Sequence, residues 1–289
     1  MHGLFSDLTD FFSSFEKDRV ILKLIRGYFA IPESEYSDEE ILGILGILYV
    51  NAHEVPVTPI PVQGLYLNAS LIEHSCVNNA SKHFDTNGNL QIRAAVHIRK
   101  GEHISIMYSD PMWGTPNRSQ HLAETKFFKC GCKRCRDPLE LGTHFSSLRC
   151  PSCPVQQQGF LVATDPVDAA APWRCGQCGA EEPAEYVNAV IRSIGEELIR
   201  LEKGSPEACL GFIKKHSQNL HRNHFYLMDV KLALCQMIGK SAAGEHFPGE
   251  QGALMARMAS EIAEKDLVLK QKLCMELIEV ANVISPGIA

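Results

Sequence analysis

Eleven cysteines carry most of the chemistry in this 289-residue chain: Cys76, Cys130, Cys132, Cys135, Cys150, Cys153, Cys175, Cys178, Cys209, Cys235 and Cys274. Seven of them, from Cys130 to Cys178, follow the spacing C-x-C-x2-C, then C-x2-C after fourteen residues and C-x2-C again after twenty-one. Paired C-x2-C turns suit zinc, because each presents two sulfurs on one side and four sulfurs close a tetrahedral structural site. A disulfide framework would fit a short exported chain. The opening MHGLFSDLTD holds acid and no basic stretch, so it does not read as a secretory signal. Two structural zinc ions are expected.

Spacing alone leaves two ways to share the metals. Cys132 and Cys135 could join Cys150 and Cys153, leaving Cys175 and Cys178 to find other ligands. Alternatively, Cys150, Cys153, Cys175 and Cys178 form a zinc ribbon, and Cys130, Cys132 and Cys135 take a fourth ligand from elsewhere. Cys209, Cys235 and Cys274 sit in helical patterns beside apolar neighbours, where a buried inert thiol is the expectation. Cys76, His74 and His144 therefore remain as candidates. The second partition, with Cys76, is preferred.

Lys126, Lys129, Lys133, Arg134 and Arg136 crowd the first cluster, and Arg149 and Arg174 each precede a cysteine. They could form a nucleic-acid patch, or they could offset the formal −2 charge of a zinc tetrathiolate. With 28 basic against 34 acidic residues, the chain has a formal net charge of −6, which favours the second reading. The longest apolar run, Ile41–Val50, is half the ~20 residues that a bilayer span needs. No nucleic-acid or membrane partner is expected, and the chain reads as a monomer of the cytoplasm or nucleus or both.

Around these residues the pattern is α+β. Residues 4–60 look helical, with a break at Pro32 and a capped restart at Ser37. Val55–Pro61 is too rich in proline for helix and reads as a loop or edge segment. Leu90, Ile92, Ala94, Val96 and Ile98 alternate as a strand does, as do Ile104, Ile106 and Tyr108, and Asn87-Gly88 marks a hairpin before them. From 181 onward the three-four spacing of Tyr186, Val187, Val190, Ile191, Ile194, Leu198 and Leu201 predicts helix. Gly204 is expected to end it, and Ser205-Pro206 to start the next. Further helices fall near 225–238 and 249–284, as in tetratricopeptide-type stacking.

Three segments together resemble the SET domain lysine methyltransferases, and within them the SMYD group. GLYLNASLIEHSCVNNA (64–80) is similar to R-G-L-Y-P-x-A-S-L-x-N-H-S-C-x-P-N, and GEHISIMY (101–108) to G-E-E-I-x-x-x-Y. FKCGCKRCRDP (128–138) is similar to the post-SET F-x-C-x-C-x-R-C. The later cysteine pairs and HRNHFYLMDVK (221–231) look most like the SmydA-type branch. The resemblance covers nearly all of 38–240. It divides the chain into a helical insertion region (1–60), the C-terminal part of the SET core (61–128), a post-SET segment with a zinc ribbon (129–180) and a helical C-terminal domain (181–289).

The resemblance implies transfer of a methyl group from S-adenosylmethionine to a lysine of a protein or peptide, histone among the options. It places Tyr108 beside the methyl, and Phe128 along the lysine channel and cofactor pocket. Asn51, Ser70, Ile72, Glu73 and His74 match cofactor-contacting positions, and Cys76 completes the post-SET zinc. Two departures shape the expectation. Glu73 replaces the motif's Asn, and an ionised carboxylate only accepts hydrogen bonds where an amide also donates. Residues 1–289 hold neither the family's Gly-rich first strand nor its MYND finger. Little or no methyl transfer is therefore expected from these residues alone, the alternative being a non-catalytic zinc scaffold with a helical peptide-binding groove.

Overall fold

The computed structural model describes residues 16–57, 60, 62–154, 156–238 and 250–287. The chain forms two compact units. One holds the residues up to Glu73 together with Lys82–Arg93; the other holds His74–Ser81 and everything from Ala94 onward. The helical expectation for residues 4–15 lies outside the described residues.

In the first unit, helix α1 (Glu16–Phe29) stops before Pro32, and α2 runs over Asp38–Asn51. Ser37 starts α2 with a capping box: its hydroxyl accepts from the Glu40 amide at 3.2 Å, and the Glu40 carboxylate accepts from the Ser37 amide at 2.8 Å. Three acidic residues in the first turn add a favourable helix-dipole contact. Arg26 Nε donates to Asp38 Oδ1 at 2.8 Å and its Nη2 to the Tyr36 carbonyl at 2.9 Å, tying the connection between the helices. Strands β1 (His53–Val55) and β2 (Val62–Gly64) pair antiparallel, so the proline-rich stretch is the link between two short strands. The Asn87-Gly88 hairpin forms as expected, with Gly88 at φ +78° and the Asp85 carboxylate accepting from the amides of Asn87 and Asn89 at 2.9 Å. It joins β4 (Ala80–Phe84) to β5 (Leu90–Ala94).

The strands are shorter than the alternation predicts. Val96 and Ile98 lie past the end of β5, and only Ser105–Ile106 (β6) is strand in the segment 104–108. Among the described residues the segment 53–106 holds three two-stranded pairs rather than one sheet: β1 with β2, β4 with β5, and β6 with β3 (Glu73–His74). Alternation marks a possible strand, but a ladder needs a partner of equal length.

In the second unit, α3 (Thr115–Thr125) and the single turn α4 (Lys133–Arg136) precede a four-stranded antiparallel sheet. Its order is β10 (Glu181–Glu182), β9 (Trp173–Cys175), β8 (Phe160–Ala163), β7 (Leu148–Arg149). Helices α5 (Ala184–Arg200), α6 (Pro206–His216), α7 (Phe225–Met237) and α8 (Glu250–Ile284) follow. Residues 181 and 182 are thus strand, not helix, and α5 ends at Arg200, four residues before Gly204. Ser205 does cap α6, accepting from the Ala208 amide at 3.2 Å, with Pro206 in the first turn. Val187, Ile191, Ile194 and Leu198 of α5 enter one core with Leu148, Leu161 and Trp173 of the sheet and with Leu227, Val230 and Leu234 of α7. Tyr186, by contrast, is exposed. Among the described residues no helix is long and apolar enough to cross a membrane.

Candidate metal centres and the aromatic site

Two sets of four cysteines converge, both in the second unit. Cys76, Cys130, Cys132 and Cys135 place their sulfurs within 4.8 Å of one another, as do Cys150, Cys153, Cys175 and Cys178. The grouping is that of the preferred partition, with Cys76 beside Cys130, Cys132 and Cys135. Zinc–sulfur bonds of about 2.3 Å put the edges of a tetrahedron near 3.8 Å. The sulfur separations fit: 4.0 Å for Cys76–Cys130, 3.4 Å for Cys76–Cys135, 3.7 Å for Cys150–Cys178 and 3.6 Å for Cys153–Cys175. His144 is elsewhere, stacked on His221 at 4.7 Å. Zinc would be held by four thiolates in each centre, leaving no open position for chemistry.

The first centre leans on an arginine that sequence reasoning passed over. Arg118 on α3 is fully buried. Its Nε donates to Cys76 Sγ at 3.3 Å, and its Nη2 points at Cys135 Sγ at 3.7 Å and donates to Thr115 Oγ1 at 2.8 Å. Its Nη1 donates to Glu140 Oε2 at 2.9 Å, where buried Arg134 also donates through Nε at 3.0 Å. Arg134 therefore neutralises a carboxylate rather than a thiolate. Burial pushes the Glu140 pKa up, but the two guanidiniums outweigh it and hold the carboxyl below its ordinary value. The same partnership works on Arg118: burial lowers its pKa, and Glu140 with the cysteine thiols raises it further than burial lowers it. Thr115, Arg118 and Leu122 share the buried face of α3 at three-four spacing, a face that only the fold reveals because two of the three are polar.

The ribbon centre is shaped by backbone. Cys150 donates its amide to Gly159 O at 2.9 Å, and Cys175 donates to Ala180 O at 2.8 Å. A side chain on Gly159 would run into Cys175 Sγ and come within 2.8 Å of Cys153 Sγ. Glycine there lets the main chain lie against the sulfurs.

Against the first centre sits an aromatic group. Cys76, Leu122, Cys130 and Cys135 form a buried cluster on which Tyr108 and Phe128 pack. His74 lies 5.2 Å from the Tyr108 ring and 5.7 Å from Phe128, centroid to centroid, and Tyr108 meets Phe128 edge-on at 6.5 Å. Phe127, just past the end of α3, adopts φ +58°, a left-handed turn that returns Phe128 toward the helix, its amide donating to Leu122 O at 3.4 Å. The Tyr108 amide donates to His74 Nδ1 at 3.0 Å. Lys126 Nζ stands 5.8 Å over the Tyr108 ring.

Three of the expected site residues, His74, Tyr108 and Phe128, are thus brought together. Asn51, Ser70, Ile72 and Glu73 belong to the first unit, where their cofactor role rests on the resemblance. Asn51 Nδ2 donates to Ile47 O at 3.0 Å, and Ser70 Oγ donates to Tyr66 O at 3.0 Å. Of the remaining thiols, Cys209 and Cys235 are buried. Cys274 is only half-buried, a departure from the expectation, with its sulfur 3.7 Å from Cys235 Sγ.

Known proteins share parts of this sequence. The SET domain family model covers residues 13–109. The SET domain-containing protein SmydA-8 of Drosophila melanogaster, isoform A, is 28% identical over 74% of this chain and 47% of its own length. Isoform B is 29% identical over 70% of the chain and 44% of its own length. The mouse histone-lysine N-methyltransferase SMYD3 is 39% identical over 25% of the chain and 17% of its own length. The chain thus spans about half the length of the SmydA-8 proteins it matches. The SET match, the SMYD-type relatives and the cysteine set that closes around Cys76 agree: residues 13–109 match a SET domain, and the chain is similar to SMYD-type SET proteins.

Proposed function

We propose that this chain carries the tyrosine side of a protein-lysine methyl-transfer site, served by S-adenosylmethionine and buttressed by two structural zinc ions. The observation that carries the proposal is the packing of Tyr108, Phe128 and His74 against the Cys76 centre. S-adenosylmethionine supplies a methyl group on a sulfonium, open to in-line attack by a neutral amine. Tyr108 would orient the reacting groups through its hydroxyl, and Phe128 would exclude water along the lysine channel. Lysine's ordinary pKa near 10.4 must fall before the amine can attack, and burial between aromatic rings lowers it. The ammonium of Lys126 already rests over Tyr108, which supports the view that this face accepts a lysine cation. The name of the mouse relative makes histone lysine the substrate class to test first.

The test is calorimetric titration with S-adenosylmethionine, followed by methyl transfer to lysine-bearing histone peptides. Heat on titration is the expected result, with little product from these residues alone and none in Tyr108→Phe, whose cofactor binding is kept. Slow turnover with intact binding would agree with the lost donor at Glu73. No heat at all would overturn the proposal and leave the zinc scaffold with a helical peptide-binding face as the better reading.

A further inference from the structure

We propose that His74 is a positioning residue whose imidazole joins the main chain at Tyr108 to the Cys76 thiolate, through one fixed tautomer. The argument begins with the backbone. An amide N–H can only donate, so His74 Nδ1, 3.0 Å from the Tyr108 nitrogen, is the acceptor and carries no hydrogen. In the neutral ring the hydrogen is then on Nε2, which lies 3.2 Å from Cys76 Sγ. A metal-bound thiolate is an acceptor, so Nε2–H donates to it. Both ring nitrogens are thereby committed, and Tyr108 and Phe128 pack around the ring at 5.2 and 5.7 Å.

Cys76 sulfur receives a second N–H bond, from Arg118 Nε at 3.3 Å. The two donors differ in what they serve. Arg118 anchors the sulfur to α3 and Glu140, whereas His74 passes its position on to the reaction side. Tyr108 lies two residues beyond the end of β6, where the ladder no longer sets its main chain. The bond to His74 holds it there. Loading of the Cys76 centre and placement of Tyr108 are therefore coupled through one ring.

The inference rests on the proposed role of Tyr108 for its functional meaning, but its test needs no cofactor. Nitrogen-15 labelling of histidine, with the His74 signal assigned by its loss in His74→Asn, reads the tautomer in the zinc-loaded protein. Hydrogen on Nε2 is expected. Hydrogen exchange at the Tyr108 amide should quicken about tenfold in His74→Leu, the worth of one hydrogen bond. It should stay near the native rate in His74→Asn, whose side-chain carbonyl can still accept from Tyr108. Both variants should release zinc from the Cys76 centre to a chelator faster than the native protein. A tautomer with hydrogen on Nδ1, or unchanged Tyr108 exchange in His74→Leu, overturns the inference. If His74→Leu fails to fold, the tautomer in the native protein decides. Failure of S-adenosylmethionine to bind, with these signatures present, would remove the proposed function and leave this coupling standing.

Discussion

Gly159 has no side chain because two sulfurs occupy the place where one would go. Its replacement by alanine must displace Cys153 or Cys175 and open the ribbon centre. Elemental analysis should return two zinc ions for the native protein and about one for Gly159→Ala, since four sulfurs make one closed site; two in the variant would contradict the packing. A larger effect is expected at Glu140, which compensates both Arg118 and Arg134 in a fully buried setting. Glu140→Gln keeps the shape but leaves buried Arg134 without its carboxylate and Arg118 with only the sulfurs of the Cys76 centre, a change that costs about 3–5 kcal/mol when one partner of a buried pair is lost. Urea unfolding should show the midpoint drop accordingly. The cysteines were legible in the sequence because metal chemistry dictates their type and spacing. Arg118 and Glu140 were not, since a buried ion pair depends on which distant residues meet.

The same contrast holds for the elements. Ser37 and Glu40 announced a capping box three residues apart, and Asn87-Gly88 announced a hairpin; both are local devices and both formed. Ser37→Ala should cost about 1 kcal/mol of local stability, seen as faster hydrogen exchange in the first turn of α2 and no change in α5. What local pattern did not give was strand length. Val96 and Ile98 continue the alternation past Ala94, where pairing with β4 has ended. The end of α5 was misplaced for a similar reason: Leu201 turns out of the helix at φ −67°, ψ 128°, well before the glycine. Periodicity states a preference, and packing decides where it stops.

At the scale of the whole second unit, acid should act through buried histidine. His224 is fully buried, and its Nδ1 accepts from the Tyr226 amide at 3.2 Å to cap α7. Its Nε2 has no partner among the described residues. Burial lowers its pKa from 6.5 to about 3. Between those values the unfolded chain binds more protons than the folded one, so falling pH favours unfolding. The contribution of His224 is complete above pH 6.5 and is lost as pH falls toward 3, with an upper limit of about 5 kcal/mol. His224→Asn keeps a capping acceptor that does not titrate. Its melting temperature should fall less steeply than the native one between pH 6.5 and 5, and equal slopes would count against this account. The thiolates, which acid also protonates, act alike in both proteins.

Cys150 and Cys175 share one apolar core with Ile191, Phe212 and Leu234 of the helices. A ribbon built this way is not a cassette. Cut out at residue 182, it would bare the face that α5 covers, and grafted into another protein it would arrive without half of its interior. The helices face the same bargain, since a fragment starting at Ala184 would lose Leu161 and Trp173 from beneath them. Genetic exchange could move the two parts only as a pair, so their boundary, visible along the chain as a change from strand to helix, is no seam for recombination.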